Sequence, residues 1–566
     1  MKREKSLVML LAAAIVTGSL AGCKTKGQNE GTSPSAAKEA PTEQSTGKPA
    51  DTPADPSAEA LTDTPKEQTI VVSTSTRSGM QEGWEAVARA YSEIHPEITV
   101  KIDLKSDDGY DQWLQNVFAN NETTNVDIVS INKDGGSATG KYIDWNDYME
   151  MDSPYSEGVW KEQFDYASQS MADGGKLKSL CLDTTQVMWF YNTEIFQEVG
   201  VEIPTTWTEL IDVCEKLSAA GYQPIAMDGD YDSFYGGTMG WLNWVYTDQT
   251  TRSTIELWRS QEGDYTYDPD IDGVWKFDPS DPHNDDNSRV TRNVVRFYKA
   301  VKDQTYTAET EGMKTVWSNL ADVFPKYAGG DAMFGTNNDG ATSLFYQGKA
   351  AMMVDGGWGI VEFINNMKAI ASGETVQLGE KDNPETVDSA SVFQLGTFAM
   401  PSMEGPGIEA PARTVEVAQG YLGAVSKDQE HNDAVADFMM YYSSSTGMGV
   451  FLDAALAAGY APNGPSLVYG VTYPDDIAGA FANIKYIGNC QKHYGRALCR
   501  GLNDLPESTR EFYNNAYAYL TGAITVDQYL EKQENNMLTY LEPALEAKGI
   551  TMEDLENPAA KPAGLK

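Results

Sequence analysis

MWFYNTEIFQEVGVEIPTTWTELIDVCEKLSAAGYQPIAMDGD, residues 188–230, is the stretch whose reading decides the fold. It opens on an apolar, aromatic run, Val187 to Tyr191, that reads as a buried strand and turns through Asn192. A short amphipathic helix follows and is broken by Gly200 and Pro204. Thr206-x-x-Glu209 then has the form of a capping box, in which each side chain satisfies an orphan amide at a helix start. Trp207, Leu210, Ile211, Cys214 and Leu217 recur at helical spacing and predict one buried face. Gly221 ends the helix, and Pro224-Ile-Ala-Met227 enters a strand that delivers Asp228 and Asp230 to its far end. Strand, helix and strand in this order predict a packed α/β domain with a polar cluster at one rim.

The pattern repeats upstream. Gln68 to Ser73 is a short apolar strand. Trp84, Val87, Tyr91 and Ile94 share a helical face, and Ile98, Val100 and Ile102 alternate as a half-buried strand. A second helix carries Tyr110, Trp113, Leu114, Val117 and Phe118, and a strand from Val126 to Ile131 runs into Asn132-Lys-Asp-Gly-Gly136. Such alternation implies largely parallel sheets, whose ligands sit outside the carboxyl ends of the strands.

These segments resemble, in order, the bacterial extracellular solute-binding proteins of family 1, the maltose-binding-protein class. The carriers are YN-x-x-x-F, G-x-x-x-P-x-T-W-x-E-L and the G-Y-Q-P-I-A turn around residues 191–226, then Leu344-Phe-Tyr-Gln-Gly-Lys-Ala-Ala-Met-Met-Val-Asp-Gly-Gly-Trp358. A return strand in 392–401 and Gly420-Tyr-Leu-Gly-Ala-Val-Ser-Lys427 before an apolar-faced helix complete the set, and Thr525-x-x-Gln528 caps a late helix. The resemblance spans roughly 69–556, with large insertions around 250–290. It implies a two-lobe, type II periplasmic-binding-protein-like α/β fold with discontinuous lobes: 69–184 and 402–465 for the first, 185–401 and 466–557 for the second, and 558–566 as a tail.

It also implies a site. Trp358 takes the place of the cleft's principal stacking aromatic, with Asp355 beside it and Gly356-Gly357 permitting close backbone approach. The ligand loops of the first lobe correspond to Thr76-Arg77 and Asn132-Lys133-Asp134. Asp134 stands at the place of a sugar-binding carboxylate, and Ile131 stands where a second stacking Trp is expected. Asp230 with Tyr231 or Tyr235 lies near positions that grip sugar hydroxyls. Trp241 and Trp244 follow, one of them expected to fill the core. No Trp occurs after Trp358, so a late stacking residue has to be Tyr or Phe, with Tyr486 and Tyr494 as candidates. Aromatic faces and acids together suit a carbohydrate, which offers an apolar C–H face and hydroxyls.

Charge and address narrow the classes further. With 83 acidic against 42 basic residues the formal net charge of the 566-residue chain is −41, which excludes a nucleic-acid grip. Lys2, Arg3 and Lys5 precede an apolar run from Leu7 to Val16 that is too short to span a bilayer. The run ends at Leu20-Ala21-Gly22-Cys23, which resembles the lipobox of bacterial lipoproteins and implies a 1–23 signal peptide with lipid on Cys23. Residues 24–68, rich in Ser, Thr, Pro, Ala, Gly, Glu and Lys, then form a disordered tether. The expectation is a monomeric receptor, lipid-anchored at the extracellular face of the cell membrane, that hands a carbohydrate to the transmembrane permease of an ATP-binding-cassette importer.

No cofactor is required. Asp268-Pro-Asp-Ile-Asp-Gly273 matches the first half of a calcium loop, with Asp268, Asp270 and Asp272 as ligands of a structural Ca²⁺. Lys276 and Pro279 break the second half, so an acidic surface turn is the preferred reading. Cys490 and Cys499 are close enough in sequence to pair, which spacing alone does not establish. Catalysis has no positive signal: His95, His283, His431 and His493 are scattered without metal or nucleophile spacing. Two alternatives stay open: a secreted carbohydrate-active enzyme using paired carboxylates, and the same fold holding a charged solute. Arg77 and Lys133 suit a uronate or phosphorylated ligand, whereas the acids suit a polyamine.

Overall fold

Among the described residues of the chain, here a computed structural model, eight strands make two four-stranded sheets, beside two short two-stranded ones. The structure describes residues 67–565 apart from 121, 132–135, 170–174, 287–288, 379–384, 388–391, 416–420, 483, 485–486 and 492–495. Cys23, the expected signal peptide and the tether up to residue 66 therefore lie outside the described residues, whereas Gln68, placed at the tether's end, already belongs to the first strand.

The first sheet contains β1 (Gln68–Ser73), β2 (Ile98–Ile102) and β3 (Ile128–Ser130). The second contains β4 (Val187–Asn192), β5 (Gln223–Ala226), β6 (Ala350–Gly356) and β7 (Leu395–Phe398). The last strand, β8 (Leu422–Ala424), returns to the first sheet, whose order is β8-β3-β1-β2. β1 runs parallel to β2 and β3, while β8 pairs antiparallel with β3, Leu422 opposite Ser130. A strand from the far half of the chain thus completes the first lobe.

Strand position explains strand composition. β2 lies at a sheet edge and alternates buried with more exposed positions. β4 is central in the order β7-β4-β6-β5 and is buried at every residue but Tyr191. Its Val187 and Trp189 enter one apolar core, while Met188 and Phe190 enter another on the opposite face. Two covered faces require the unbroken apolar run that the sequence carries there. The helix after it, Trp207–Ala219, has the expected capping box, with Glu209 N donating to Thr206 Oγ1 and Thr206 N to Glu209 Oε2. Its buried face holds Trp207, Leu210, Cys214 and Leu217.

Three chain segments cross between the lobes side by side. Val187 N donates to Val415 O at 2.9 Å, and Leu180 pairs antiparallel with Leu422, so the outgoing and returning chains share one register. Asp183 pairs with Ser466 as the third crossing. Met403, Ala412 and Val415 belong to the second core and Val468 to the first. The return crossing therefore falls beyond Val415, later than 402, and the third crossing extends past 465. Segment 558–565 is docked, not trailing: Asn293 Nδ2 donates to Pro558 O at 2.9 Å.

The insertion around 250–290 is packed onto the second lobe by buried charge. Arg413, 1% exposed, donates through Nε to Asp248 Oδ2 (2.9 Å) and through Nη1 to Asp285 Oδ1 (2.6 Å), and Arg252 Nε shares Asp248 at 2.7 Å. In the loop that matches half a calcium motif and whose preferred reading is an acidic turn, Asp272 accepts from Thr291 N, Thr291 Oγ1 and Asp268 N, and Asp268 accepts from Asp270 N. Those carboxylates are turn acceptors, and among the described residues no group of three acids, His or Cys is placed to hold a metal ion. Cys490 and Cys499 are buried thiols, raised in pKa by burial, Cys499 to about 12, and no disulfide joins them. Among the described residues no helix is long and apolar enough to cross a membrane.

Candidate functional site

A cavity of about 730 Å³ opens where β1 and β3 end, on the first-lobe side of the crossing segments. Its apolar wall includes Trp84, Tyr442 and Phe451; its polar floor includes Arg77, Asp183 and Ser466. Arg77 lies in the loop after β1 and reaches the third crossing segment. Its Nη1 donates to Asn463 Oδ1 at 2.5 Å and its Nη2 to the Tyr460 hydroxyl at 3.3 Å. Asn463, 1% exposed, passes the connection on, Nδ2 donating to Asp183 Oδ2 at 3.0 Å. Burial pushes the half-buried Asp183 carboxyl up to about 6, against the opposing pull of the Arg77 charge and the Asn463 bond. Thr76 spends its hydroxyl on the Arg77 carbonyl, at 3.3 Å.

The second-lobe candidates stand outside the lining of that cavity and are carried by two neighbouring parallel strands. β5 and β6 run in register, Ala226 beside Met353, so Asp228, just past β5, and Asp355, the last residue but one of β6, come together at the carboxyl ends. Asp355 is half-buried and accepts from Gly356 N at 2.7 Å. Burial, reinforced by Glu362 and Asp228, pushes its carboxyl up to about 7. Asp228 is 1% exposed, is pushed up by burial, and leaves Oδ2 without a partner. Asp230 caps the helix Tyr231–Gly236 by accepting from Ser233 N at 2.9 Å.

Trp358 opens the helix Trp358–Ala371 immediately after this strand end and is half-buried. Its indole folds over Gly356: a Cβ added there would meet the ring at 2.2 Å, so any larger residue has to displace the indole from this position. Gly357 lies against the first lobe's connection, since a Cβ on it would come within 2.8 Å of Asn463 O. The ring of Trp358 meets Trp241 edge to face, centroids 5.6 Å apart at 71°. Trp241 is half-buried as well, whereas Trp244, three residues on, is 6% exposed and is the one of the two that belongs to the core.

The remaining aromatics carry arginines. Arg510 sits over the Tyr231 ring at 3.2 Å, Arg500 over Tyr235 at 5.4 Å, and Arg500 and Arg496 over Trp244 at 4.5 and 5.4 Å. Trp358, Trp241, Asp355 and Arg77 thus gather around the crossing segments. Tyr231, Tyr235 and Trp244 form a second group further along the second lobe. Asn132, Lys133 and Asp134 lie outside the described residues, as do Tyr486 and Tyr494. Asn463 and Tyr460 were not among the expected residues, and the sequence signal for them is the Tyr460-Ala-Pro-Asn-Gly464 turn after an apolar helix. Arg500 has no comparable signal.

The arrangement sets an indole pair on one side of the crossing segments and a chain of hydrogen-bonding groups, which reaches from the first lobe to Asn463 against Gly357, on the other. Several solved structures are similar to this chain. The bacterial solute receptor AcbH is 13% identical with a TM-score of 0.51, over 84% of this chain and 99% of that one. RafE from Streptococcus pneumoniae is 15% identical with a TM-score of 0.49, over 83% and 97%. A chitin oligosaccharide binding protein is 18% identical with a TM-score of 0.47, over 84% and 98%. Among curated proteins none matches. The bacterial extracellular solute-binding protein family matches residues 76–449, more than half of the chain, and the chain belongs to that family.

Proposed function

We propose that the protein captures a carbohydrate, an oligosaccharide, between its lobes and delivers it to the permease of an ATP-binding-cassette importer. The observation that carries this reading is the Trp241–Trp358 pair beside the Arg77–Asn463–Asp183 chain. Indole faces bury the C–H face of a sugar ring, and the fixed amide and carboxyl groups meet its hydroxyls, a few placed polar groups in an apolar cleft. AcbH, which shares the fold, is described as preferring β-D-galactopyranose. The reading extends to a monomer held at the extracellular face of the membrane by lipid on Cys23, acting by hinge closure and without catalysis.

Titrating tryptophan emission with neutral and charged oligosaccharides, with a parallel assay for released product, tests it. Saturable change with intact sugar recovered supports a receptor. Turnover of the sugar supports the enzyme, and silence across the panel rules out carbohydrate capture.

A further inference from the structure

Arg500 is 7% exposed, yet its side chain makes no ion pair or hydrogen bond with any described residue. Its Nε is enclosed without a partner. Asp504, four residues on, is already taken by Arg496, whose Nη2 donates to it at 2.7 Å. The contrast with Arg413, also buried but held by two carboxylates, is direct. A buried cation that shares its nearest carboxylate with another arginine and is not bonded to it is costly, and stacking on the rings of Trp244 and Tyr235 offsets only part of that cost. Burial accordingly lowers the affinity of Arg500 for its own proton.

Its stacking partners place it. Tyr235 belongs to the helix that begins directly after Asp230, at the carboxyl end of β5, and Trp244 lies one helical turn beyond Trp241, which touches Trp358. Along this aromatic row Arg500 is therefore two aromatic residues removed in the fold from Trp358: it stacks on Trp244, which shares a helix with Trp241, and Trp241 touches Trp358. In a chain of net charge −41, Arg496, Arg500 and Arg510 all gather on this row.

We propose that this row ends in an anion subsite, in which Arg500 receives a carboxylate or sulfate group carried by the oligosaccharide. The inference rests on the carbohydrate reading of the cleft and names the class of sugar: a uronate-containing or sulfated one. With Nε enclosed, the anion is met end-on by the two terminal nitrogens, which present parallel donors to two oxygens.

The test compares trigalacturonate with galactotriose, and a sulfated galacto-oligosaccharide with its unsulfated parent, by tryptophan emission. Inorganic sulfate is titrated alone. In at least one pair the anionic member is expected to bind about 10-fold or more tightly, and Arg500→Gln to erase that difference while sparing the neutral member. A uronate preference identifies a carboxylate, and a sulfated preference a sulfate ester. Equal or weaker binding of both anionic members overturns the subsite while leaving carbohydrate capture standing, and needs no variant. Equal losses for both members of a pair in Arg500→Gln overturn it too. If no sugar binds, the carbohydrate reading fails, and the subsite survives only if sulfate alters the emission of the wild type and not of Arg500→Gln.

Discussion

Asn463 joins the two lobes: its side chain accepts from Arg77 Nη1 at 2.5 Å and donates to Asp183 Oδ2 at 3.0 Å, while its carbonyl lies against Gly357. The residue before the principal indole therefore touches the group that fixes the first-lobe arginine. Any motion at the crossing segments moves both halves of the site relative to one another.

Replacing Asn463 by Ala leaves Asp183 and Arg77 without their bridging amide in a buried place. The expected loss is about 1–3 kcal/mol of stability, because an orphaned buried polar group retains its desolvation cost. A lower denaturant midpoint at unchanged slope shows it. An unchanged midpoint means that the bridge is idle.

Asp355 makes a signed pH prediction. Its carboxyl titrates at about 7 in the folded chain, against an ordinary carboxylate value of about 3.9. Through that window the folded chain holds a proton that the unfolded chain has released, so this group's contribution to stability falls as pH rises. Asp355→Asn keeps an acceptor for Gly356 N and removes the titration. Its thermal midpoint should match the wild type near about pH 4 and exceed it near about pH 8. A gap that does not change with pH contradicts the assignment.

The Arg413 cluster holds the 250–290 insertion to the second lobe. Arg413→Ala leaves Asp248 and Asp285 short of their shared cation, although Arg252 still contacts Asp248. Breaking a buried pair on one side costs about 3–5 kcal/mol. Chemical denaturation should show a loss of that size, and a change below about 1 kcal/mol would place the pair among those that contribute like exposed ones.

The elements were legible wherever local chemistry decides them. Thr206 and Glu209 announce their helix start by the reciprocal cap that forms there. The run from Val187 to Tyr191 reads as buried because a central strand with two covered faces needs it. Trp358 was legible through its glycines, since only a residue without a side chain leaves room for the folded-back ring. Asn463 and Arg500 were not legible, because their roles depend on groups brought from distant parts of the chain: Arg77 is 386 residues from Asn463. The acids at 268–272 left two readings open in the sequence for a related reason. An Asp pattern that suits calcium also suits backbone turns, and Thr291, whose donors take up Asp272, lies 19 residues away.

The most direct measurement is tryptophan emission of wild type and Trp358→Ala titrated with raffinose, chitotriose, galactotriose and trigalacturonate. Wild type should bind at least one of them saturably. The variant should retain its circular dichroism and thermal transition and lose that binding by about 30-fold or more, the scale of a central anchor. Affinity unchanged in a folded variant would contradict the claim that this indole carries the site.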